Sequence, residues 1–212
     1  MKKRILSLAL ACLMVMPLLA GCGDNNTPAA SGSDNSGDTT TYSWKMAHEE
    51  YDGDMQDVYC KEFAQKLSEK SNGRITLDIY PVGQIGDALQ QCELLQNGGI
   101  EFAIVSPGNT GTVVPENQLF SLHYLFPSDW DKTLEVLQTS EALNTMLGQK
   151  YLDKNIQVLQ YWTEGAMWWT SNKSMKDPSA FKGLKFRTMQ SPMILAAYEA
   201  YGANPTPMSY TE

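Results

Sequence analysis

Residues 75–105 read ITLDIYPVGQIGDALQQCELLQNGGIEFAIV, and they indicate the class of fold more clearly than any other stretch. Residues 75–80 alternate apolar and polar side chains, which predicts a strand. Residues 87–96 predict a helix that the following Asn-Gly-Gly ends, and the apolar run 100–105 predicts a buried parallel strand. Strands and helices that alternate with short loops predict an α/β fold with a mainly parallel sheet.

The same alternation extends over most of the chain. The other predicted strands are residues 42–47, 156–162, 166–170 and 184–189, and the other predicted helices are residues 54–69, 129–153 and 192–201. The helix that Asp54 begins is predicted to bury one apolar face, which comprises Met55, Val58, Tyr59, Phe63 and Leu67. Residues 202–207, Gly-Ala-Asn-Pro-Thr-Pro, predict an extended turn.

The amino-terminal end is typical of a secreted protein. Three basic residues precede an apolar run over residues 5–19, which is too short to cross a bilayer comfortably. The run leads into Leu-Ala-Gly-Cys22, which resembles a bacterial lipobox and implies cleavage before Cys22 and attachment of a lipid to its sulfur. The alternative is a plain signal peptide, residues 1–21, followed by a chance cysteine. Residues 22–42 are mostly small and polar and predict a flexible tether, so we expect a bacterial protein anchored to the outer face of the cell membrane.

The charge of the chain excludes one class of partner. Its 212 residues include 16 basic and 24 acidic side chains, a net charge of −8. The signal segment holds three of the basic residues and none of the acidic ones, so the remainder has a net charge of −11. An acidic protein without a basic stripe is repelled by phosphate backbones, so we expect no binding to nucleic acid.

The sequence offers little for catalysis. The two histidines, His48 and His123, lie 75 positions apart, and we find no metal-ligand cluster, phosphate-binding loop or Gly-x-Ser-x-Gly elbow. We therefore expect neither an enzyme nor a bound cofactor. Cys60 and Cys92 both lie on predicted helices, where they form either a disulfide or, as the simpler alternative, two buried thiols.

Arg187 is a sharper candidate for a binding role. Without Arg4 of the signal, the chain has two arginines, and Arg187 lies at the carboxyl end of a predicted strand. Ligands of open α/β sheets bind at that end, and a guanidinium there can hold a carboxylate through two parallel hydrogen bonds. From the residues alone, an ion pair between Arg187 and an acidic side chain at the surface is an equally good interpretation.

Several motifs of this chain resemble those of a known family. The stretches DPSAFKGLKFR (residues 177–187) and YGANPTPM (201–208) resemble the signature of DctP-type solute-binding proteins of TRAP (tripartite ATP-independent periplasmic) transporters. The segments GRI (73–75), YPVGQIG (80–86) and LHYLF (122–126) extend the resemblance in the same order and spacing.

The resemblance implies a two-lobed, periplasmic-binding-protein-like α/β fold of type II-like topology. Residues 43–164 would form the first lobe, and residues 165–212 would begin a second lobe that is incomplete in this chain. The lobes would close around a small organic acid and deliver it to a two-subunit or fused membrane permease that an ion gradient drives.

The resemblance also implies roles for individual residues. Arg187 would pair with the carboxylate of the ligand, and Tyr210 matches an aromatic position that packs on it. In the sialic-acid binders of the family a second arginine aligns with Met167, so sialic acid is disfavoured here. Ser106 and Asn109, like Ala88, stand where that subgroup has charged contacts.

Five candidates follow from position. Alternation along a strand would point Met167 and Trp169 toward one face, as an apolar wall for a less polar acid. The alternative is that a tryptophan fills the core beside the hinge. His48, Glu49 and Gln190 are candidates by position alone. The full set of predicted cleft residues is Arg187, Tyr210, Met167, Trp169, Asn109, Ser106, Gln190, His48 and Glu49.

Other functions remain open from the sequence. A binding lipoprotein could serve an ATP-driven (ABC) importer or a sensor system instead of a TRAP permease. A surface-anchored hydrolase would need a nucleophile and a base that this stretch does not show, and an adhesion lipoprotein would bind no small ligand saturably.

Overall fold

Two small parallel sheets organise residues 39–212, the part of the chain that the computed structural model describes. The strands are β1 (Tyr42–His48), β2 (Ile75–Tyr80), β3 (Phe102–Ile104), β4 (Lys185–Thr188) and β5 (Asn204–Pro207). The first sheet has the order β2-β1-β3 and the second pairs β4 with β5. All three strand pairings are parallel, which confirms the predicted α/β class. The predicted signal, the lipid site at Cys22 and most of the tether lie outside the described residues.

Helices connect the strands. The α-helices are α1 (Met55–Lys70), α2 (Ala88–Gln96), α3 (Pro107–Thr110), α4 (Trp130–Thr139), α5 (Gly148–Leu152) and α6 (Pro192–Ala200). Shorter turns of helix are the 3-10 segments Pro115–Ser121 and Pro178–Phe181 and the π-helical segment Ala142–Leu147. The helix predicted over residues 129–153 is therefore interrupted after Thr139, where Ser140 leaves the helical conformation. Within residues 39–212 we find no helix that is both long and apolar enough to cross a membrane.

Local signals explain why α2 begins where it does. The Asp87 carboxylate accepts a hydrogen bond from the Gln90 backbone nitrogen at 2.9 Å, and the Gln90 side chain accepts one from the Asp87 backbone nitrogen at the same distance. This capping box satisfies two of the helix donors that would otherwise lack a partner. The preceding Gly86 has a φ of 131°, a conformation that side chains oppose. The start of α2 is thereby fixed at the carboxyl end of the first sheet.

The buried face of α1 differs in part from the prediction, of which Phe63 and Leu67 are half-buried. Met55, Val58 and Tyr59 are exposed, whereas Gln56, Asp57 and Cys60 face the protein interior. Asp57 is fully buried because its carboxylate has partners there. It accepts hydrogen bonds from the Gly53 backbone nitrogen at 2.8 Å and from Lys61 Nζ at 2.6 Å, and it lies 3.4 Å from His48 Nε2. Polar contacts, not apolar periodicity, set the rotation of this helix.

Three strand predictions also need correction. Residues 156–162 and 166–170 run without strand structure, because a ladder needs a neighbouring strand and no described strand lies beside them. The predicted turn at 202–207 instead contains β5, which pairs with β4 although Pro205 and Pro207 lack a backbone donor. Such prolines are tolerated at the edge of a sheet. The strand predicted over 100–105 shortens to β3 and is only half-buried.

Two apolar clusters are buried within residues 39–212. The larger one lies among α4, α5 and the short helical segments next to them, and it contains Val114, Leu137, Leu143, Leu147, Tyr151 and Ile156. The cluster beneath the second sheet contains Phe181, Tyr198 and Ala203, against which Phe186 of β4 packs. Cys60 and Cys92 are buried free thiols, so the disulfide alternative is not formed, and burial raises the pKa of each thiol to about 12.

Candidate functional site

A cleft of about 290 Å³ lies where the carboxyl ends of the two sheets meet. The residues that follow β1 and β3 form one wall, and β4 with the residues after β4 and β5 forms the other. Seven of the nine predicted site residues line it, namely Glu49, Ser106, Asn109, Met167, Arg187, Gln190 and Tyr210. The parallel strands bring these side chains together because their carboxyl ends point the same way.

Arg187 is held in place from one side. Its Nε and Nη2 atoms donate to the backbone carbonyl of Met208 at 3.1 and 2.8 Å, and its guanidinium carbon lies 6.0 Å from the centre of the Tyr210 ring. Within the described part of the chain, these bonds go to a carbonyl and not to a carboxylate. Among residues 39–212 the Nη1 donors have no protein acceptor, so they are available to a ligand.

Glu49 is a half-buried carboxylate in the opposite wall. It accepts hydrogen bonds from the Ser106 backbone nitrogen and, at 2.7 Å, from Asn109 Nδ2. Burial raises the pKa of Glu49, and the nearby Glu164 adds to the shift, whereas the bonds from Ser106 and Asn109 oppose it. Ser106 and Asn109 thus support Glu49 in the wall of the cleft.

Gln56 and Glu164 are among the cleft residues that the sequence analysis missed. Gln56 is buried in the first turn of α1, and its Nε2 donates to Glu164 Oε1 at 2.9 Å. Both line the cleft, although 108 positions separate them. No local pattern marks such a pair; the one available signal was an acidic residue directly before Gly165, at the predicted start of the second lobe.

Two predicted site residues do not reach the wall of the cleft. Trp169 donates from its indole nitrogen to the Tyr198 hydroxyl at 2.6 Å and packs edge-on against Phe181, with ring centres 5.0 Å apart. It therefore packs over the aromatic cluster of the second sheet while 40% of its surface stays exposed, so it lies neither in the cleft wall nor in the core. His48 is fully buried beside Asp57, and burial lowers its pKa. Met167 and Trp169 do not share a face, because residues 166–170 form no strand.

The cleft is acidic apart from Arg187. Four carboxylates line it, from Glu49, Glu50, Asp87 and Glu164. Among residues 39–212 no cluster of side chains could hold a metal ion. The site can therefore bind a negative group at Arg187 and a positive group opposite it.

We predict that Glu49→Gln raises thermal stability at neutral and alkaline pH. Because the pKa of Glu49 is raised in the folded protein, the cost of burying its charge is present above that pKa and disappears as the pH falls through it. The variant keeps the shape of the side chain without the charge: its amide oxygen can still accept from the Ser106 backbone nitrogen, and a flip of the Asn109 amide would let Oδ1 accept from the new Nε2. Melting temperatures measured at a series of pH values should be higher for the variant than for the wild type at neutral and alkaline pH. The difference should decrease as the pH is lowered.

Glu62→Gln is the matched control for this prediction. Glu62 lies on the exposed side of α1, and its hydrogen bond with Lys66 lowers its pKa, so this substitution should not raise the melting temperature. A lower melting temperature for Glu49→Gln at pH 8 would contradict the prediction.

Comparisons with known proteins place the chain in context. The family model described as bacterial extracellular solute-binding protein, family 7 (DctP), matches residues 46–212. The ectoine-binding periplasmic protein TeaA of Halomonas elongata is 37% identical over 176 residues, which cover 82% of this chain and 51% of TeaA. The ectoine/5-hydroxyectoine-binding protein UehA of Ruegeria pomeroyi is 34% identical, with coverages of 80% and 49%.

Solved structures show the same relationship. The periplasmic ectoine-binding protein of the TeaABC TRAP transporter of Halomonas elongata aligns with a TM-score of 0.76 and 36% identity, over 81% of this chain and 55% of that one. A TRAP solute-binding protein of Sulfurospirillum deleyianum with bound succinate aligns with a TM-score of 0.72 and 27% identity, over 82% and 55%. The chain spans about half the length of the curated relatives it matches.

Proposed function

Because the chain belongs to family 7 of the bacterial extracellular solute-binding proteins, the DctP family, we propose that the protein captures a small organic acid and delivers it to a TRAP-type importer. The observation that supports this best is Arg187, which the Met208 carbonyl holds at the carboxyl end of β4 with donors left for a carboxylate. The importer would be a two-subunit or fused membrane permease. The family favours this partner over an ABC importer or a sensor, and neighbouring genes for two membrane subunits without an ATPase would support it.

The protein would act by enclosure and not by catalysis. Residues 43–164 and 165–212 would belong to two lobes that close on the ligand, with Arg187 binding its carboxylate and Tyr210 and Met167 packing on its body. Gln190 would add a polar contact from the same wall as Arg187, while Ser106 and Asn109 would act through Glu49. Trp169 and His48 would stabilise the walls from behind.

The acidic lining favours a zwitterion over a dicarboxylate. A second carboxylate would meet four acidic side chains, whereas a cationic group would be attracted by them. TeaA and UehA, the two relatives reported above, are named for ectoine, a compact molecule with a carboxylate and a cationic ring. We therefore propose an ectoine-like zwitterion as the first ligand to test.

Calorimetric titration of the purified protein tests this proposal. Ectoine should bind saturably and more tightly than succinate, glucuronate and N-acetylneuraminic acid. Saturable binding of succinate in preference to ectoine would overturn the ligand class, and the absence of binding to any of the four would count against the proposed function.

The cellular location is part of the same proposal. We propose that a lipid on Cys22 anchors the protein to the outer face of the cell membrane. Fractionation of cells that express the Cys22→Ser variant tests this, because the variant should leave the membrane fraction. Retention of the variant in that fraction would contradict the anchor.

A further inference from the structure

The four carboxylates of the cleft differ in how they are held. Glu50 accepts a hydrogen bond from the Gln56 backbone nitrogen at 3.0 Å, at the start of α1, and Asp87 caps α2. Glu49 fastens the start of α3 through Ser106 and Asn109. These three carboxylates therefore hold the helix starts next to the first sheet in place. Glu164 does not, because it comes from the irregular segment that runs between the two sheets.

Gln56 connects Glu164 to the first sheet. Its side-chain oxygen accepts a hydrogen bond from the Glu49 backbone nitrogen at 3.2 Å, directly after β1, while its side-chain nitrogen donates to Glu164 at 2.9 Å. Gln56 itself is only 5% exposed, and its neighbour Asp57 is fixed by Gly53 and Lys61. A buried amide thus holds a carboxylate that belongs to an exposed segment without strand pairing.

The hydrogen bond from Gln56 also orients the carboxylate of Glu164. Gln56 binds Oε1 of Glu164. No partner of Oε2 lies among residues 39–212, so this oxygen is available to a ligand in the cleft. Glu49 lies close enough for the two carboxylates to repel each other. A cation between them would relieve that repulsion, whereas Arg187 stands in the wall formed by the second sheet.

We propose that Glu164 binds the cationic group of the ligand and that Gln56 is the positioning residue that keeps this carboxylate in the cleft. This inference rests on the proposed function, since it assumes a ligand with both charges. Gln56 favours a cationic ligand indirectly, because it orders Glu164 before binding. The entropic cost of fixing the segment that carries Glu164 then does not reduce the binding free energy.

Titration of variants with ectoine and succinate tests the role of Glu164. Glu164→Gln retains an acceptor for Gln56 and removes only the charge, so it should weaken ectoine binding at least tenfold without weakening succinate binding. Gln56→Ala should weaken ectoine binding about fivefold, and combining it with Glu164→Gln should weaken binding little beyond Glu164→Gln alone. The matched control is Gln65→Ala, since Gln65 lies on the same helix and bonds only the exposed Glu69. Unchanged ectoine binding by Glu164→Gln would overturn the proposal.

Unfolding of the ligand-free protein tests the positioning role separately. Gln56→Ala should lower the melting temperature of the wild type more than that of the Glu164→Ala variant, because both substitutions remove the same hydrogen bond and their effects are then not additive. Additive effects would overturn the positioning role of Gln56. A wild-type protein that binds neither probe would overturn the ligand class and the role of Glu164, while this cycle would still decide whether Gln56 holds Glu164.

Discussion

Replacement of Arg187 by alanine should weaken binding of a carboxylate ligand at least tenfold. A charge-assisted hydrogen bond contributes about 1.5–3 kcal/mol, and a tenfold change in dissociation constant corresponds to about 1.4 kcal/mol. The Met208 carbonyl and the Tyr210 ring already fix the guanidinium, so little ordering cost offsets this contribution. Calorimetric titration with ectoine would measure the loss of affinity. An unchanged dissociation constant would show that Arg187 does not bind the ligand.

Two control variants separate charge from geometry. Arg187→Lys keeps the charge but loses the planar fork, so its affinity should fall between that of the wild type and the alanine variant. Arg74→Ala replaces the only other arginine after the signal, directly before β2 and so at the end of the first sheet opposite the cleft. Its affinity should match that of the wild type.

The elements that the sequence predicts correctly are those with local signals. Alternating side chains identify β2, and the Asn-Gly-Gly that follows Gln96 marks the end of α2. By contrast, Pro205 predicts a turn, yet β5 forms there because β4 offers a parallel partner about twenty residues away. Residues 156–162 have the pattern of a strand and no described strand beside them, so the pattern alone does not produce a ladder.

The candidate site follows the same division. Arg187 was found because it ends a predicted strand within a recognisable motif, and the cleft forms around it. Gln56 and Glu164 were missed because their hydrogen bond joins distant parts of the chain. The rotation of α1 was partly wrong for a related reason: its buried face includes Asp57, whose carboxylate lies 3.4 Å from Nε2 of His48 on a different element. Burial of a polar residue is set by its partners, and a single sequence does not show them.

Replacement of Tyr198 by alanine should produce the largest loss of stability, about 3–5 kcal/mol, because it removes a buried aromatic side chain. The Tyr198 ring is 6% exposed and lies 4.5 Å from that of Phe186, the neighbour of Arg187 on β4. Its hydroxyl also accepts the indole hydrogen bond of Trp169. Urea denaturation should therefore show a much lower midpoint, and the melting temperature should fall by roughly 10 °C.

Conservative and exposed controls make this prediction specific to the ring. Tyr198→Phe keeps the packing against Phe186 and loses only the bond with Trp169, so it should cost about 1 kcal/mol. Tyr124→Ala removes a tyrosine that is 94% exposed and should change stability by no more than about 0.5 kcal/mol. If Tyr198→Ala unfolded at the same urea concentration as Tyr124→Ala, the aromatic cluster would not stabilise β4. The position of Arg187 would then depend on the Met208 carbonyl and the strand pairing alone, and some other interaction would have to stabilise the second sheet.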